Sequence, residues 1–179
     1  MLNNAMSVEK AQIYAELGEQ LAALIEGEPD LVANTANMAA LIYHRLPELN
    51  WAGFYFTDGE KELVLGPFQG KPACVRIPWG QGVCGTATAR REPIVVPDVH
   101  EFSGHIACDP DSRSELVVPL LKGDRVLGVL DLDSPVHDRF DDADRIGCER
   151  LVTILLEHHR DWREGSGPGD ARNPATASG

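Results

Sequence analysis

Three of the four cysteines, Cys74, Cys84 and Cys108, lie in one stretch: Cys74-Val-Arg-Ile-Pro-Trp-Gly-Gln-Gly-Val-Cys84-Gly-Thr-Ala, followed further on by His105-Ile-Ala-Cys108-Asp-Pro. A thiol used only for packing more naturally takes a periodic apolar position in a helix or strand. Cys148 does so, three residues before Leu151. Thiols set among glycines, prolines and polar residues are better placed for chemistry. A thiolate attacks an electrophile, and a second thiol nearby completes the turnover by forming a disulfide. Spacing alone is equally compatible with incidental buried cysteines, so the set needs other groups beside it.

Glu115, Asp131 and Asp133 are such groups. Asp131 and Asp133 are two residues apart in an extended run and share a face, and Glu115 can reach them from a paired strand. Crowded carboxylates cannot all ionise cheaply, so at least one should hold its proton near neutral pH and be able to donate it. Ordinary solvation of strand ends is the plainer reading. Trp51, Phe54, Tyr55 and Trp79 form an aromatic set among which a methyl group could lodge, or over which a cation could lie. Phe54 and Phe56 are assigned instead to core packing. The run Gly80-Gln-Gly82-Val-Cys-Gly85 lacks the Lys-Ser/Thr ending and preceding parallel strand of a phosphate loop. His100, His105 and Cys108 match no standard zinc spacing, so neither a metal nor another cofactor is expected.

These residues must be positioned by elements that the periodicity outlines. Ser7 is expected to cap a helix carrying Ile13, Leu17, Leu21, Leu24 and Ile25 up to Gly27. A second helix should run from near Asp30 to Leu46, ended by Pro47. From Asn50 the period becomes two. Trp51 to Thr57 reads as a strand, Asp58-Gly59 as a hairpin turn and Glu62 to Gly66 as the returning strand. A third strand, Ala73 to Ile77, is expected to carry Cys74. Val83 to Arg90 reads as a short helix with Cys84 in its first turn, where orphan amides favour a thiolate. Pro93 to Val96 is a short strand, and the long loop from Asp98 to Arg113 has the length of a functional one. Ser114–Leu121 and Arg125–Asp133 should form a second hairpin, followed by a helix capped by Asp141 or Asp142. The predominance of hairpins and absence of βαβ alternation give an α+β class: one domain over residues 1–163, with a central antiparallel sheet of about six strands and helices on its faces. Residues 164–179, rich in Gly, Ser, Pro and Ala, are expected to be a disordered tail.

Composition narrows the partners. The chain has 179 residues, 16 Lys plus Arg, 28 Asp plus Glu and a net charge of −12. Such a surface repels phosphate backbones and anionic lipids, so neither nucleic acid nor membrane is expected as a partner. The first residues lack the pattern of a signal peptide, so a cytoplasmic protein with reduced thiols is expected.

With these residues in view, the chain resembles the GAF-domain free methionine-(R)-sulfoxide reductases from about Asn50 to Phe140. The motifs that carry the resemblance are Asn-Trp-Ala-Gly-Phe-Tyr, Leu-Gly-Pro-Phe-Gln-Gly-Lys-Pro-Ala-Cys74, Gly-Gln-Gly-Val-Cys84-Gly, His105-Ile-Ala-Cys108-Asp, Ser-Glu115-Leu-Val-Val-Pro and Leu-Gly-Val-Leu-Asp131-Leu-Asp133-Ser-Pro. The resemblance implies a GAF-like fold and reduction of free L-methionine (R)-S-oxide. It further implies that Cys108 attacks the sulfoxide sulfur, that Glu115, Asp131 and Asp133 hold and protonate its oxygen, and that Trp51 and Tyr55 contact the methyl end. Cys108 would leave the step as a sulfenic acid and be captured by Cys84 or Cys74 as a disulfide, which thioredoxin or a similar dithiol reductant resets. A homodimer is implied as well. Preference for R over S enters only through the resemblance. Two rival functions use the same residues: a GAF ligand-sensing module without catalysis, and a thiol peroxidase or redox switch.

Overall fold

The switch to a two-residue period at Asn50 marks where a six-stranded sheet begins. The computed structural model describes residues 2–59, 61–104 and 109–159, and the expected tail lies outside them. Two helices come first, α1 (Leu2–Ile25) and α2 (Leu31–Arg45). Strands β1 (Trp51–Asp58), β2 (Glu62–Gly70) and β3 (Arg76–Pro78) follow, then helix α3 (Gly82–Arg90) and strand β4 (Ile94–Val96). A hairpin of β5 (Ser114–Lys122) and β6 (Arg125–Ser134) leads to helix α4 (Asp142–His158). The strand order is β3-β2-β1-β6-β5-β4, antiparallel throughout. The α+β class and the six strands are therefore observed.

Two local expectations change. Helix α1 starts at Leu2, so Ser7 lies inside it rather than at its N-terminus. Cys74 sits in the irregular segment before β3, because that strand pairs with β2 only from Arg76 to Pro78. The other caps behave as read. Asp30 accepts from the Ala33 amide at the start of α2, and Asp141 caps α4 through a reciprocal capping box with Asp144.

Alternation along the strands sends side chains to two different cores. Ala52, Phe54, Phe56, Leu116, Val118, Leu130 and Leu132 join Leu17, Leu21, Met38, Ile42, Leu151 and Leu155 from α1, α2 and α4. Phe54 and Phe56 are core residues here, stacked at 6.2 Å. Trp51, Tyr55, Val117 and Val129 point the other way, against Val83, Cys84 and Ala87 of α3. The helix-rich face is fastened by a buried ionic network. Arg139 reaches both oxygens of Asp144 at 3.2 Å, Lys10 reaches the same carboxylate at 2.5 Å, and the Tyr14 hydroxyl donates to it at 3.0 Å. No helix among the described residues is long and apolar enough to cross a membrane.

Candidate active site

The pairing of β1, β5 and β6 brings the acids together. Glu115 stands directly opposite Asp133, and Asp131 stands opposite Val117 on the neighbouring position of the same face. On the other side of β6, Trp51 is paired with Asp133 and Gly53 with Asp131. A Cβ at Gly53 would stand 2.3 Å from Phe68 Cβ and 2.6 Å from the Trp51 ring, so glycine there lets those two aromatic residues close over the strand. Trp51 and Tyr55, on the same face of β1, stack at 5.8 Å, and Trp51 stacks on Phe68 at 5.3 Å.

Helix α3 closes this face. The turn before it is tied by Gly80 N to Gly85 O at 2.8 Å and by Gly82 N to Gly104 O at 3.1 Å. A Cβ at Gly85 would stand 2.3 Å from the Pro78 carbonyl oxygen, so only glycine lets the helix start this close to β3. Cys84 is thereby pressed on the acids, its thiol donating to Glu115 Oε1 at 4.0 Å. One cavity is lined by Trp51, Tyr55, Cys84, Glu115, Asp131 and Asp133. Ala73 and Asp109, the sequence neighbours of Cys74 and Cys108, line it too.

Burial sets the protonation of this cluster. It pushes Asp131 up from 3.8 to about 7, and hydrogen bonds accepted from Cys84 and Glu115 hold it from rising further. Burial, then repulsion from Asp131 and Asp133, pushes Glu115 well above its ordinary value. Asp133 rises for the same two causes, burial and then Asp131. The Cys84 thiol is also pushed well up, by burial and then by Asp131 and Glu115. The thiolate expected from the first turn of a helix is therefore not favoured at Cys84, because loss of solvent and the neighbouring carboxylates outweigh a surface-scale dipole effect. Tyr55 rises as well, from burial and then Asp131. The site is a store of protons facing a cavity.

Several residues to which the sequence reading gave no role anchor its rim. Asn50 donates to Asp109 Oδ2 at 3.2 Å and to Ser112 Oγ at 3.0 Å, while its backbone amide donates to the Asp133 carbonyl at 3.1 Å. Lys71 pairs with Asp109 at 3.3 Å and with Asp111, and its carbonyl accepts from the Trp51 indole at 3.1 Å. Burial alone would raise Asp109, but hydrogen bonds from the Asp111 amide and Lys71 outweigh it and lower its carboxyl. The signal for this clamp was the Asp109-Pro110-Asp111 turn beside Cys108.

Of the sequence-derived set, Trp51, Tyr55, Cys84, Glu115, Asp131 and Asp133 share the cavity wall. Cys74 is disulfide-bonded. Cys108 and His105 lie outside the described residues. His100 is engaged with Arg113 at 2.5 Å on the surface. Trp79 packs at the edge of the site-side core but does not line the cavity. Cys148 is fully buried in the opposite core, 3.8 Å from the Tyr14 hydroxyl, its thiol pushed up to about 12 chiefly by burial.

The GAF domain model matches residues 19–157. A free methionine-R-sulfoxide reductase of Escherichia coli is 52% identical over 148 residues, covering 83% of this chain and 89% of that protein. The free methionine-R-sulfoxide reductase of Neisseria meningitidis, solved in complex with its substrate, is 45% identical with a TM-score of 0.81, over 84% of this chain and 90% of that one. The reduced form of fRMsr of Staphylococcus aureus is 52% identical with a TM-score of 0.78, over 82% and 94% of the two chains.

Proposed function

The chain belongs to the GAF-domain family of free methionine-R-sulfoxide reductases, and from that premise we propose that it reduces free L-methionine (R)-S-oxide to L-methionine through the cavity between α3 and the sheet. A sulfoxide oxygen is a poor leaving group until it is protonated, so the reaction needs an acid beside a nucleophile. The observation that carries the reading is the trio of buried Glu115 and Asp131 and half-buried Asp133, all holding protons above their ordinary range, in a cavity also walled by the neighbours of Cys74 and Cys108.

In the proposed step the Cys108 thiolate attacks the sulfoxide sulfur while the acids protonate the oxygen. The protonated oxygen leaves as water, giving a sulfonium in which the Cys108 sulfur is bonded to the substrate sulfur. Water then attacks the Cys108 sulfur and breaks that sulfur–sulfur bond, so methionine leaves reduced by two electrons, a proton is released and Cys108 is oxidised by two electrons to a sulfenic acid. Trp51 and Tyr55 supply the apolar wall for the substrate's methyl end. A second thiol condenses with the sulfenic acid, releasing water and forming a disulfide. Cys74 suits that role because it is disulfide-bonded in this structure, whereas Cys84 is a free, buried thiol that burial and two carboxylates hold in its protonated form. Thioredoxin or a similar dithiol then returns the enzyme to its reduced state.

A panel of free R, free S and peptide-bound methionine sulfoxide, assayed with dithiothreitol, tests the proposal. Only the free R form should be consumed. Cys108→Ser should abolish turnover and Cys148→Ser should leave it near wild type, since the latter thiol is sealed in the opposite core. Substantial turnover by the Cys108 variant, or equal use of peptide-bound substrate, overturns the reading.

A further inference from the structure

Cys84, Glu115 and Asp131 come from α3, β5 and β6, and their sulfur and carboxylate oxygens all lie within 4.8 Å of one another. They are 3%, 6% and 6% exposed. Asp131 Oδ1 is buried without a hydrogen-bond partner among the described residues. Burying a carboxylate oxygen without a partner is costly, and the residue lines an open cavity, which is where a ligand would supply the missing contact. We propose that these three side chains form a binding site for a thiophilic divalent cation of the zinc or cadmium type, with the fourth coordination position facing the cavity.

The donor set selects the class of ion. One sulfur and two carboxylates suit a borderline-soft tetrahedral cation, whereas magnesium and calcium require six or more oxygens. Zinc–sulfur and zinc–oxygen bonds imply donor separations of roughly 3.3–3.7 Å in a tetrahedron. Cys84 Sγ and Glu115 Oε1 stand 4.0 Å apart and no pair of the three donors is wider than 4.8 Å, so an ion there would draw the side chains together by roughly 1 Å. Coordination takes the sulfur as thiolate, its proton passing to solvent. Sequence spacing cannot reveal this trio, since its members are 31 and 16 residues apart, 115 − 84 and 131 − 115. If the proposed reductase mechanism holds, an ion held there occupies the space taken by the sulfoxide oxygen.

The test is a cadmium titration of the full chain in its oxidised form, where Cys74 is in its disulfide and Cys84 and Cys148 are the free thiols of the described residues. The readout is the thiolate-to-cadmium charge-transfer band in the ultraviolet. The band should form in wild type and in Cys148→Ser, be displaced by zinc, and be lost in Cys84→Ala. Glu115→Gln, which keeps the side chain's shape, should require at least about tenfold more cadmium, as expected for loss of a charged ligand. No band in wild type, or one that survives Cys84→Ala, overturns the site whatever the turnover assays give. Free methionine sulfoxide, which the oxidised protein cannot reduce, should weaken the titration. A band indifferent to it supports the metal site and overturns its overlap with the sulfoxide.

Discussion

At the scale of single residues, function depends on where protons reside. Asp131 rises from 3.8 in the unfolded chain to about 7 in the fold, so between those values the native state holds a proton that the unfolded state has lost. Native protein is therefore favoured at the acid side of this window, and stability falls as pH rises through it. Replacing Asp131 by Asn removes that contribution. The variant should melt with a shallower pH dependence than wild type, and by order of magnitude should gain a few kcal/mol at the alkaline end. Thermal melts across the window check this, and an unchanged slope would refute the buried-acid reading of Asp131. On the proposed mechanism the same substitution deletes a proton donor, so kcat/KM should drop roughly 10²-fold or more. Wild-type kcat/KM should decline as pH passes about 7, where Asp131 ionises. The thiols separate in the same way. Cys74→Ser should still yield one methionine per chain in a single turnover but stall with a dithiol protein reductant, while Cys84→Ser should keep forming the disulfide. A reversal of those two outcomes would move the resolving role to Cys84.

At the scale of elements, close approaches decide what each helix can do. A methyl group at Gly85 meets the Pro78 carbonyl at 2.3 Å and the Gly80 amide at 3.2 Å, both backbone, so the start of α3 must shift. Gly85→Ala should lower kcat/KM on the order of 10²-fold by moving Cys84 and the cavity wall. Gly147→Ala drives its methyl into the Tyr14 ring, with nearest carbons at 2.1–2.4 Å. That overpacks the α1–α4 seam on the opposite face and should cost about 1–3 kcal/mol in denaturant unfolding, with kcat/KM unchanged. Equal effects of the two on activity would contradict the division of labour between faces. Local pattern made much of this legible: the Asp58-Gly59 turn, the Asp30 and Asp141 caps and the alternation that puts Asp131 and Asp133 on one face are all nearest-neighbour physics. Ser7 was misleading because a serine followed by a helical stripe resembles a cap even when the helix has already begun. Cys84 was misread for a different reason. A helix's first turn is visible in sequence, but the carboxylates that oppose ionisation there come from strands more than thirty residues away.

At the scale of the whole molecule, what the sequence could not convey is the long-range pairing of β1 with β6, which joins two separately legible hairpins into one sheet. That pairing places Trp51 and Tyr55 beside Asp131 and Asp133, so one face of the sheet packs on α1, α2 and α4 and the other carries the proposed site. The stabilising face depends on more than apolar packing. Asp144 is fully buried and is compensated by Arg139 and Lys10 together with the Tyr14 hydroxyl, while Arg139 also donates to the Pro47 carbonyl at 3.2 Å and so holds the turn that leads into β1. Removing one partner of a buried ion pair leaves a desolvated charge behind, which costs about 3–5 kcal/mol. Arg139→Ala should therefore lower the unfolding free energy by that amount. Because the lost contacts lie across the sheet from the cavity, KM for free methionine sulfoxide should stay at the wild-type value at temperatures where the variant remains folded. Denaturant unfolding and steady-state kinetics on the same preparation separate the two effects. A raised KM without loss of stability would mean that the network shapes the cavity, and that the two faces of the sheet are coupled.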